Sequence, residues 1–201
     1  MNEYNDIYCR ADEKIENLLS KKRYKHVKGV VKTAVKLARK YEADIEKCKV
    51  AAILHDYAKQ FSHEEIEVFI KKHDLKVDDL EADSRELVHS KIAAKIAEEE
   101  FGISDEEILN AISYHTTGRA DMTMIEKIIF VADSIEEGRI YPGVDSIREI
   151  SFIDIDNAML CILDNTISYL INSGAKIHPN SVISRNYFLD KNNEVNKWRS
   201  F

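Results

Sequence analysis

The adjacent residues His55 and Asp56 end an apolar stretch of the chain, VAAILHD. A helix that continued into a hydrophobic core would carry Leu or Ala there rather than two polar side chains. A buried imidazole beside a buried carboxylate is costly unless the two groups are hydrogen-bonded or bind a metal. The pair is therefore a candidate metal site, and the polar end of a helix is the alternative.

A second buried carboxylate is predicted at Asp133, which directly follows the apolar residues IIFVA. A carboxylate on a largely buried helix needs a partner, and a metal ion, an ion pair or a neighbouring helix end would each serve. Three histidines, His26, His89 and His115, lie in or at the end of predicted helices whose other face is apolar. In chain order the polar residues read H, HD, H, H, D.

The elements that must position these side chains are helices. The chain has only 6 Gly and 2 Pro, and long segments repeat apolar residues at three- and four-residue spacing. This period is typical of helices, and no window shows the alternation of a strand. The sequence predicts an all-α single domain, residues 1–201, with roughly eight to ten helices. The predicted helices to which both ends are assigned cover about 12–20, 23–41, 44–58, 84–101 and 154–172.

Helix boundaries are predicted from capping residues. Capping boxes at Ser62, Ser104 and Thr123, each with Glu three residues later, predict helices that begin just after them. Glycines favour helix ends, because they adopt a left-handed conformation without strain. The predicted end points are Gly102, Gly138 and Gly174.

The charge and the cysteine content limit the kinds of ligand and metal site that we expect. With 29 Lys and Arg against 36 Asp and Glu, the net charge is −7, which argues against a nucleic acid but not against a small phosphorylated ligand. The three cysteines form no CxxC pair, so neither a disulfide framework nor a thiolate zinc site is indicated. No apolar run approaches the ~20 residues of a membrane span. We therefore expect a cytoplasmic protein.

The order and context of the polar residues resemble the HD superfamily of metal-dependent phosphohydrolases, which are all-helical proteins. Within it, the chain resembles the YqeK-like branch, the symmetrical bis(5'-nucleosyl)-tetraphosphatases. The GYP motif of one sister branch and the ExxxD-type motif of another are missing. The resemblance covers about 23–186, with a core at about 23–140 and a helical part at about 141–190 that would complete the nucleotide site. It rests on the segments RYKHVKGV, AAILHDYAK, ISYHTTG, EKIIFVADSIEEGR, YPGV, LDNTISYLI and IHPNSVISRN.

The resemblance implies that His26, His55, Asp56 and Asp133 are the metal ligands. Two imidazoles and two carboxylates suit Fe, Mn, Co or Ni better than a structural zinc ion, and the branch implies iron. Such an ion makes water a nucleophile near neutral pH and shields phosphate oxygens. The four ligands, together with Lys59, are therefore the expected catalytic residues.

His89 and His115 occupy positions that bind a second metal in the dinuclear members of the superfamily. They would equally suit contacts to phosphate oxygens in a site with one ion. We expect one ion and phosphate contacts, because nothing else in the sequence supplies further carboxylates.

Three cations are expected to bind the substrate's phosphates. Lys59 would share the face of the HD pair if that helix persists, and Arg23 stands one helical turn before His26. Arg139 follows the helix of Asp133, where its long side chain could fold back over the site.

A short break between two helices resembles the segment that holds the nucleoside in this branch. Backbone groups of this segment could contact a purine ring, and His178 could contact phosphate or ribose. A helix-terminating loop without a ligand is the alternative. Its residues, with the following Ser181, are Lys176, Ile177, His178 and Pro179.

The resemblance implies symmetrical hydrolysis of diadenosine tetraphosphate to two ADP molecules. One alternative is a phosphohydrolase of other nucleotides, either a nucleotidase or a triphosphohydrolase. Another is a sensor that binds ADP or GDP without turnover. The tail contains Trp198, which either packs on the core or serves a homodimer.

Overall fold

Eleven α-helices and no strand are present in the computed structural model, which describes the backbone of residues 3–198 and the side chains of residues 3–192. The predicted all-α class is confirmed. In chain order the helices are α1 (Glu3–Leu18), α2 (Lys21–Lys40), α3 (Ile45–Leu54), α4 (His63–Lys72), α5 (Asp79–Ala82), α6 (Arg85–Phe101), α7 (Glu106–Tyr114), α8 (Met124–Ile135), α9 (Val144–Ser151), α10 (Ile155–Ser173) and α11 (Pro179–Trp198).

The number of helices exceeds the predicted range of roughly eight to ten, because two short helices give too little periodicity to be recognised. The helix α5 has 4 residues and is stabilised by a capping box in which Asp78 and Glu81 bond each other's backbone N–H groups. The helix α9 has 8 residues and begins after Gly143, whose φ is 87°. A third difference lies in α1, which begins at Glu3 and not near residue 12.

The predicted helix starts are confirmed at two capping boxes and wrong at the third. Ser62 and Thr123 both accept the backbone N–H of the Glu three residues later. For α7, the N-cap is Asp105 instead of Ser104, because its carboxylate accepts the N–H groups of Glu107 and Ile108. A carboxylate at this position also interacts favourably with the helix dipole.

Helix ends are confirmed at Gly102 and Gly174, where both glycines adopt the left-handed conformation. Two other helices end earlier than predicted. The helix α8 ends at Ile135, before Gly138. The helix α3 ends at Leu54, and the chain forms turns over residues 55–60 where the helix was expected to reach residue 58.

The helix α8 lies at the centre of the fold. It packs against α2, α3, α7, α9 and α10. Ile128, Ile129, Val131 and Ala132 are all completely buried, as expected for a helix that is apolar all round. The last turn of α8 therefore presents Asp133 among the neighbouring helices.

The C-terminal helices cover the same core as the rest of the chain. The helix α10 packs against α8 and α11, and Phe188 of α11 is completely buried in the continuous core that includes Ile128. A single folding unit therefore stays the prediction. Trp198 lies outside the residues whose side chains are described.

The helices of the described residues show no candidate for a membrane span, since none combines the required length with enough apolar character.

We expect Phe188→Ala to lower the free energy of unfolding of the whole chain by about 3–5 kcal/mol, because it leaves a cavity in the shared core. Urea unfolding followed by circular dichroism should show one transition that moves to lower urea. Tyr169→Ala is the control, because Tyr169 is 70% exposed, and its effect should stay within about 0.5 kcal/mol. A second, separate transition in Phe188→Ala would contradict the single domain.

Candidate metal centre

Six polar side chains from the ends and faces of five helices meet beside the last turn of α8. His26 lies on α2 and His89 on α6, whereas Asp133 lies on α8. His55 is the C-cap of α3, Asp56 follows it, and His115 is the C-cap of α7. The structure thus brings together the residues that form the H, HD, H, H, D pattern.

Three of the histidines have their ring orientation fixed by a backbone carbonyl. Nδ1 of His55 lies 2.7 Å from the carbonyl oxygen of Ala52, and Nδ1 of His115 lies 2.8 Å from that of Ile112. Nδ1 of His89 lies 3.3 Å from the carbonyl oxygen of Arg85, one turn earlier in the same helix. A carbonyl oxygen only accepts, so Nδ1 donates and Nε2 of each neutral ring is left as a bare acceptor.

His26 is oriented by a carboxylate instead. Its Nδ1 lies 3.1 Å from Oε1 of Glu136. Its Nε2 lies 3.0 Å from Oδ1 of Asp133, yet this nitrogen is buried and has no hydrogen-bond partner. The two atoms are therefore in close contact without a hydrogen bond of regular geometry between them. Sequence reasoning missed Glu136, although it stands one helical turn after Asp133.

The two oxygens of the Asp56 carboxylate face two different pairs of histidines. Its Oδ2 lies 3.4 Å from Nε2 of His55 and 3.6 Å from Nε2 of His26. Its Oδ1 lies 3.2 Å from Nε2 of His89 and 3.9 Å from Nε2 of His115. One aspartate therefore faces two clusters of ligand atoms, one with each oxygen.

The donor set fits a metal ion. Nε2 of His55, like that of His26, is buried without a hydrogen-bond partner, and both face carboxylate oxygens. Lone pairs that face each other inside a protein repel unless a cation or a proton lies between them. Imidazole and carboxylate ligands without thiolates suit a divalent transition metal.

Electrostatics keep the ligand carboxylates ionised. Burial would raise the pKa of Asp56, but the positive charge of the adjacent His55 outweighs it and holds the pKa well below the usual range. Burial likewise opposes the lowered pKa of Asp133, which His26 and Arg139 favour. Both groups are therefore available as anionic ligands near neutral pH.

The imidazoles differ in how readily they take up a proton. Burial lowers the pKa of His115 to about 3, assisted by the neighbouring His55 and His89. Burial also lowers the pKa of His89. For His55, burial is outweighed by Asp56, and the pKa is raised. His89 and His115 thus stay neutral at pH 7, and their bare Nε2 atoms are suited to bind a cation rather than to donate to a phosphate oxygen.

Two arginines contact the ligand carboxylates. Nη1 of Arg23 lies 2.9 Å from Oδ2 of Asp56. The chain folds back after α8, so Arg139 donates through Nε to the carbonyl oxygen of Asp133 at 2.7 Å and through Nη2 to its carboxylate. Both predicted cations therefore lie at the edge of the cluster.

A cavity of about 700 Å³ opens beside His26. Six of its lining residues are cations, although the whole chain is acidic. Three of the cations, Lys22, Lys25 and Arg85, were not among the predicted contacts. Lys22 and Lys25 belong to the basic run KKRYKHVK, with which α2 begins. The cavity is lined by Ser20, Lys22, Arg23, Lys25, His26, Lys59, Gln60, Arg85, Glu86, Glu136, Glu137, Gly138 and Arg139.

Lys59 reaches the cavity by a different route from the predicted one. The helix does not persist to carry it on the face of the HD pair, because α3 ends at Leu54. Lys59 instead lies in the following turns and pairs with Glu86 at 2.7 Å.

The predicted nucleoside segment is joined to α5 and does not line the cavity. Nδ1 of His178 accepts the backbone N–H of Asn180, and Nε2 lies 3.0 Å from Oδ2 of Asp78. Lys176 lies 3.4 Å from Asp83. The residues of the segment that are absent from the cavity lining are Lys176, Ile177, His178, Pro179 and Ser181.

The first turns of α11 nevertheless lie against the segment that follows His115. A Cβ atom added to Gly118 would lie 2.6 Å from the Ser184 hydroxyl oxygen. This contact places α11 on the side of the cluster that carries His115.

We expect His115 to stay neutral in the folded, metal-free protein down to about pH 4, because its pKa is lowered to about 3. The unfolded chain takes up a proton near pH 6.5, so the contribution of His115 to stability is lost as the pH falls below that value. The loss from pH 7 to pH 5 should be about 2 kcal/mol.

Heteronuclear NMR would follow the ring, assigned by its absence in His115→Asn, and denaturation at pH 7 and pH 5 would compare the two proteins. The variant should lose less stability on acidification than the wild type. Titration of His115 near pH 6.5 in the folded protein would contradict the prediction.

Comparison with known proteins agrees with this geometry. The family model described as HD domain matches residues 23–138, which include all six polar residues of the cluster. The symmetrical bis(5'-nucleosyl)-tetraphosphatase of Bacillus subtilis is 37% identical over 87% of this chain and 94% of its own length. The protein of the same name from Halalkalibacterium halodurans is 39% identical, over 90% of this chain and 96% of its own.

A solved structure is similar along the whole fold. It is a predicted HD superfamily hydrolase involved in NAD metabolism from Clostridium acetobutylicum, with a TM-score of 0.87 and 39% identity. The match covers 92% of this chain and 97% of that one. The predicted family is confirmed, and membership implies a divalent metal. The chain belongs to the HD domain family and, within it, to the family of the symmetrical bis(5'-nucleosyl)-tetraphosphatases.

Proposed function

We propose that this protein is a metal-dependent hydrolase that splits diadenosine tetraphosphate symmetrically. One water molecule is consumed, the bond between the two central phosphates breaks, and two ADP molecules result. The observation that carries the proposal is the buried cluster of bare imidazole nitrogens and ionised carboxylates at the edge of a cavity lined by cations. Relatives that match most of the chain carry this activity in their names.

The residues that would hold the metal are His26, His55, Asp56 and Asp133. When bound, a divalent ion neutralises charge on phosphate oxygens and makes water a stronger nucleophile. The protein's own part is to keep the two carboxylates ionised and to fix which nitrogen of each ring faces the ion. Nδ1 of each histidine is engaged by a carbonyl or a carboxylate, so Nε2 is the ligand atom.

We extend the proposal to a second ion position, formed by Asp56, His89 and His115. The expectation of one ion depended on a lack of further carboxylates, but Oδ1 of Asp56 faces both histidines. Their Nε2 atoms lie 3.1 Å apart. Since both Nδ1 atoms are bonded to carbonyl oxygens, a cation between the rings would remove the repulsion of the two lone pairs.

The cavity supplies the charge that a polyphosphate requires. Arg23, Lys59 and Arg139 line the cavity beside His26, and Lys22 and Arg85 add further positive charge to its lining. Concentrated positive charge on an acidic protein favours phosphate binding there over binding elsewhere. We assign to these cations the phosphates of one half of the substrate, so that cleavage falls between the halves. We also propose that the loop 176–181, which leads into α11, contacts a nucleoside of the substrate.

Iron is the metal we propose, because nitrogen and oxygen ligands without thiolates suit it, with Mn, Co or Ni as substitutes. We also propose a cytoplasmic location, which the three free cysteines support, since thiols persist in a reducing compartment. A homodimer stays a prediction.

The test is product analysis with diadenosine tetraphosphate. The purified full chain would be reconstituted anaerobically with Fe, Mn, Co, Ni or Zn in parallel, and products separated by chromatography. We expect ADP as the product. A mixture of AMP and ATP would contradict the symmetrical cut, and no hydrolysis with any metal would contradict the enzyme.

Two variants separate metal binding from substrate binding. Asp56→Ala should abolish both metal uptake and turnover, because it removes the carboxylate that both groups of histidines share. Lys59→Ala should bind metal normally and mainly raise KM, by about 10-fold or more, because it removes one phosphate contact. Turnover by metal-free Asp56→Ala protein at the wild-type rate would overturn the metal-dependent mechanism.

A further inference from the structure

Glu136 has a buried carboxylate that lies within hydrogen-bond distance of a histidine of the metal cluster. It is 4% exposed and forms the C-cap of α8. Its Oε1 lies 3.1 Å from Nδ1 of His26, and its Oε2 accepts the backbone N–H of Gly138 at 2.6 Å. Both carboxylate oxygens are thus engaged, and the one on the His26 side fixes which ring nitrogen carries the proton.

The Glu136 carboxylate lies in space that two neighbouring glycines leave open. A Cβ atom on Gly29 would lie 2.5 Å from Oε2 of Glu136, and one on Gly138 would lie 2.9 Å from Oε1. Gly29 stands in the middle of α2, one turn after His26. Glycine is less favourable than alanine within a helix, so its place there has a steric reason.

The backbone that carries Glu136 is itself held from α9. Arg148 donates to the carbonyl oxygens of Ile135, Glu136 and Arg139 at 2.8–2.9 Å. One guanidinium group therefore satisfies three carbonyls where α8 ends. The backbone from which the Glu136 side chain extends is therefore held in place.

We propose that Glu136 is a positioning residue for the metal site, and that Gly29 is required because it leaves room for the Glu136 carboxylate. By accepting the Nδ1 proton, Glu136 presents Nε2 of His26 as a bare ligand atom toward Asp56 and Asp133. A carboxylate partner also makes the opposite ring nitrogen a stronger donor to the metal. This inference rests on the metal site of the proposed function.

The test measures Mn²⁺ affinity of the full chain by competition with a fluorescent chelator. We expect Glu136→Gln to weaken Mn²⁺ binding by about 10- to 100-fold, because an amide has only one acceptor for two donors. Gly29→Ala should weaken it in the same direction, since the added methyl group displaces the carboxylate. Urea unfolding of the same Gly29→Ala protein measures the cost of the displaced carboxylate against the gain from alanine in a helix.

The control is Glu126→Gln. Glu126 is also a buried carboxylate of α8, but it pairs with Arg119 at the other end of the helix. It should keep wild-type Mn²⁺ affinity even where it lowers stability. Equal losses of affinity in the Glu126 and Glu136 variants would show a general effect of destabilisation and overturn the proposal.

A spectroscopic measurement keeps the inference testable if Glu136→Gln does not fold. Long-range proton–nitrogen NMR of the metal-free wild type should show His26 protonated at Nδ1. Protonation at Nε2 instead would overturn the role of Glu136, and so would wild-type affinity in both the Glu136 and Gly29 variants. Either result would leave the proposed metal site standing. A wild type that binds no Mn²⁺, Fe²⁺ or Co²⁺ would overturn the metal site itself.

Discussion

The structure depends on one electrostatic constraint, which is that bare imidazole nitrogens and ionised carboxylates face one another in a buried place. Nε2 of His26 and Nε2 of His55 have no hydrogen-bond partner, although the first lies 3.0 Å from an Asp133 oxygen and the second 3.4 Å from an Asp56 oxygen. Such an arrangement costs folding free energy unless positive charge lies within it. The surrounding helices can hold it because α8 is anchored in the core on every side.

The same constraint explains where the histidines and the cations lie around the cluster. Histidines bond carbonyl oxygens or Glu136 on one side and leave the ligand atom on the other. Cations line the adjacent cavity, where they compensate an anionic ligand, while the rest of the surface leaves the chain acidic. The proposed metal site and the proposed phosphate site are thus adjacent, and His26 belongs to both.

Much of this could be predicted from the sequence, because polar residues that interrupt apolar helices stand out. His55, Asp56 and Asp133 were recognisable for that reason, and capping residues placed several helix starts. The end of α3 was not predictable, since VAAILHDYAK keeps helical character past the point where the helix stops. As a result, Lys59 reaches the cavity by a turn and not by a helical face.

Residues that act through others were harder to find. Glu136 is one of many acidic residues in the sequence, and only the three-dimensional contact with His26 distinguishes it. Gly29 looks like a defect in α2 until the carboxylate that fills its space is known. The loop 176–181 bonds α5, a helix too short to be recognised from periodicity, so its partners could not be derived from the sequence.

The central claim is that the bare nitrogens and the two aspartates hold metal. Its most direct test is crystallography of the Mn²⁺-loaded protein, with an anomalous difference map recorded at a wavelength where Mn scatters anomalously. The account predicts a peak between His26, His55, Asp56 and Asp133, and a second one between Asp56, His89 and His115. A fully loaded protein with no anomalous peak among these six side chains would contradict it.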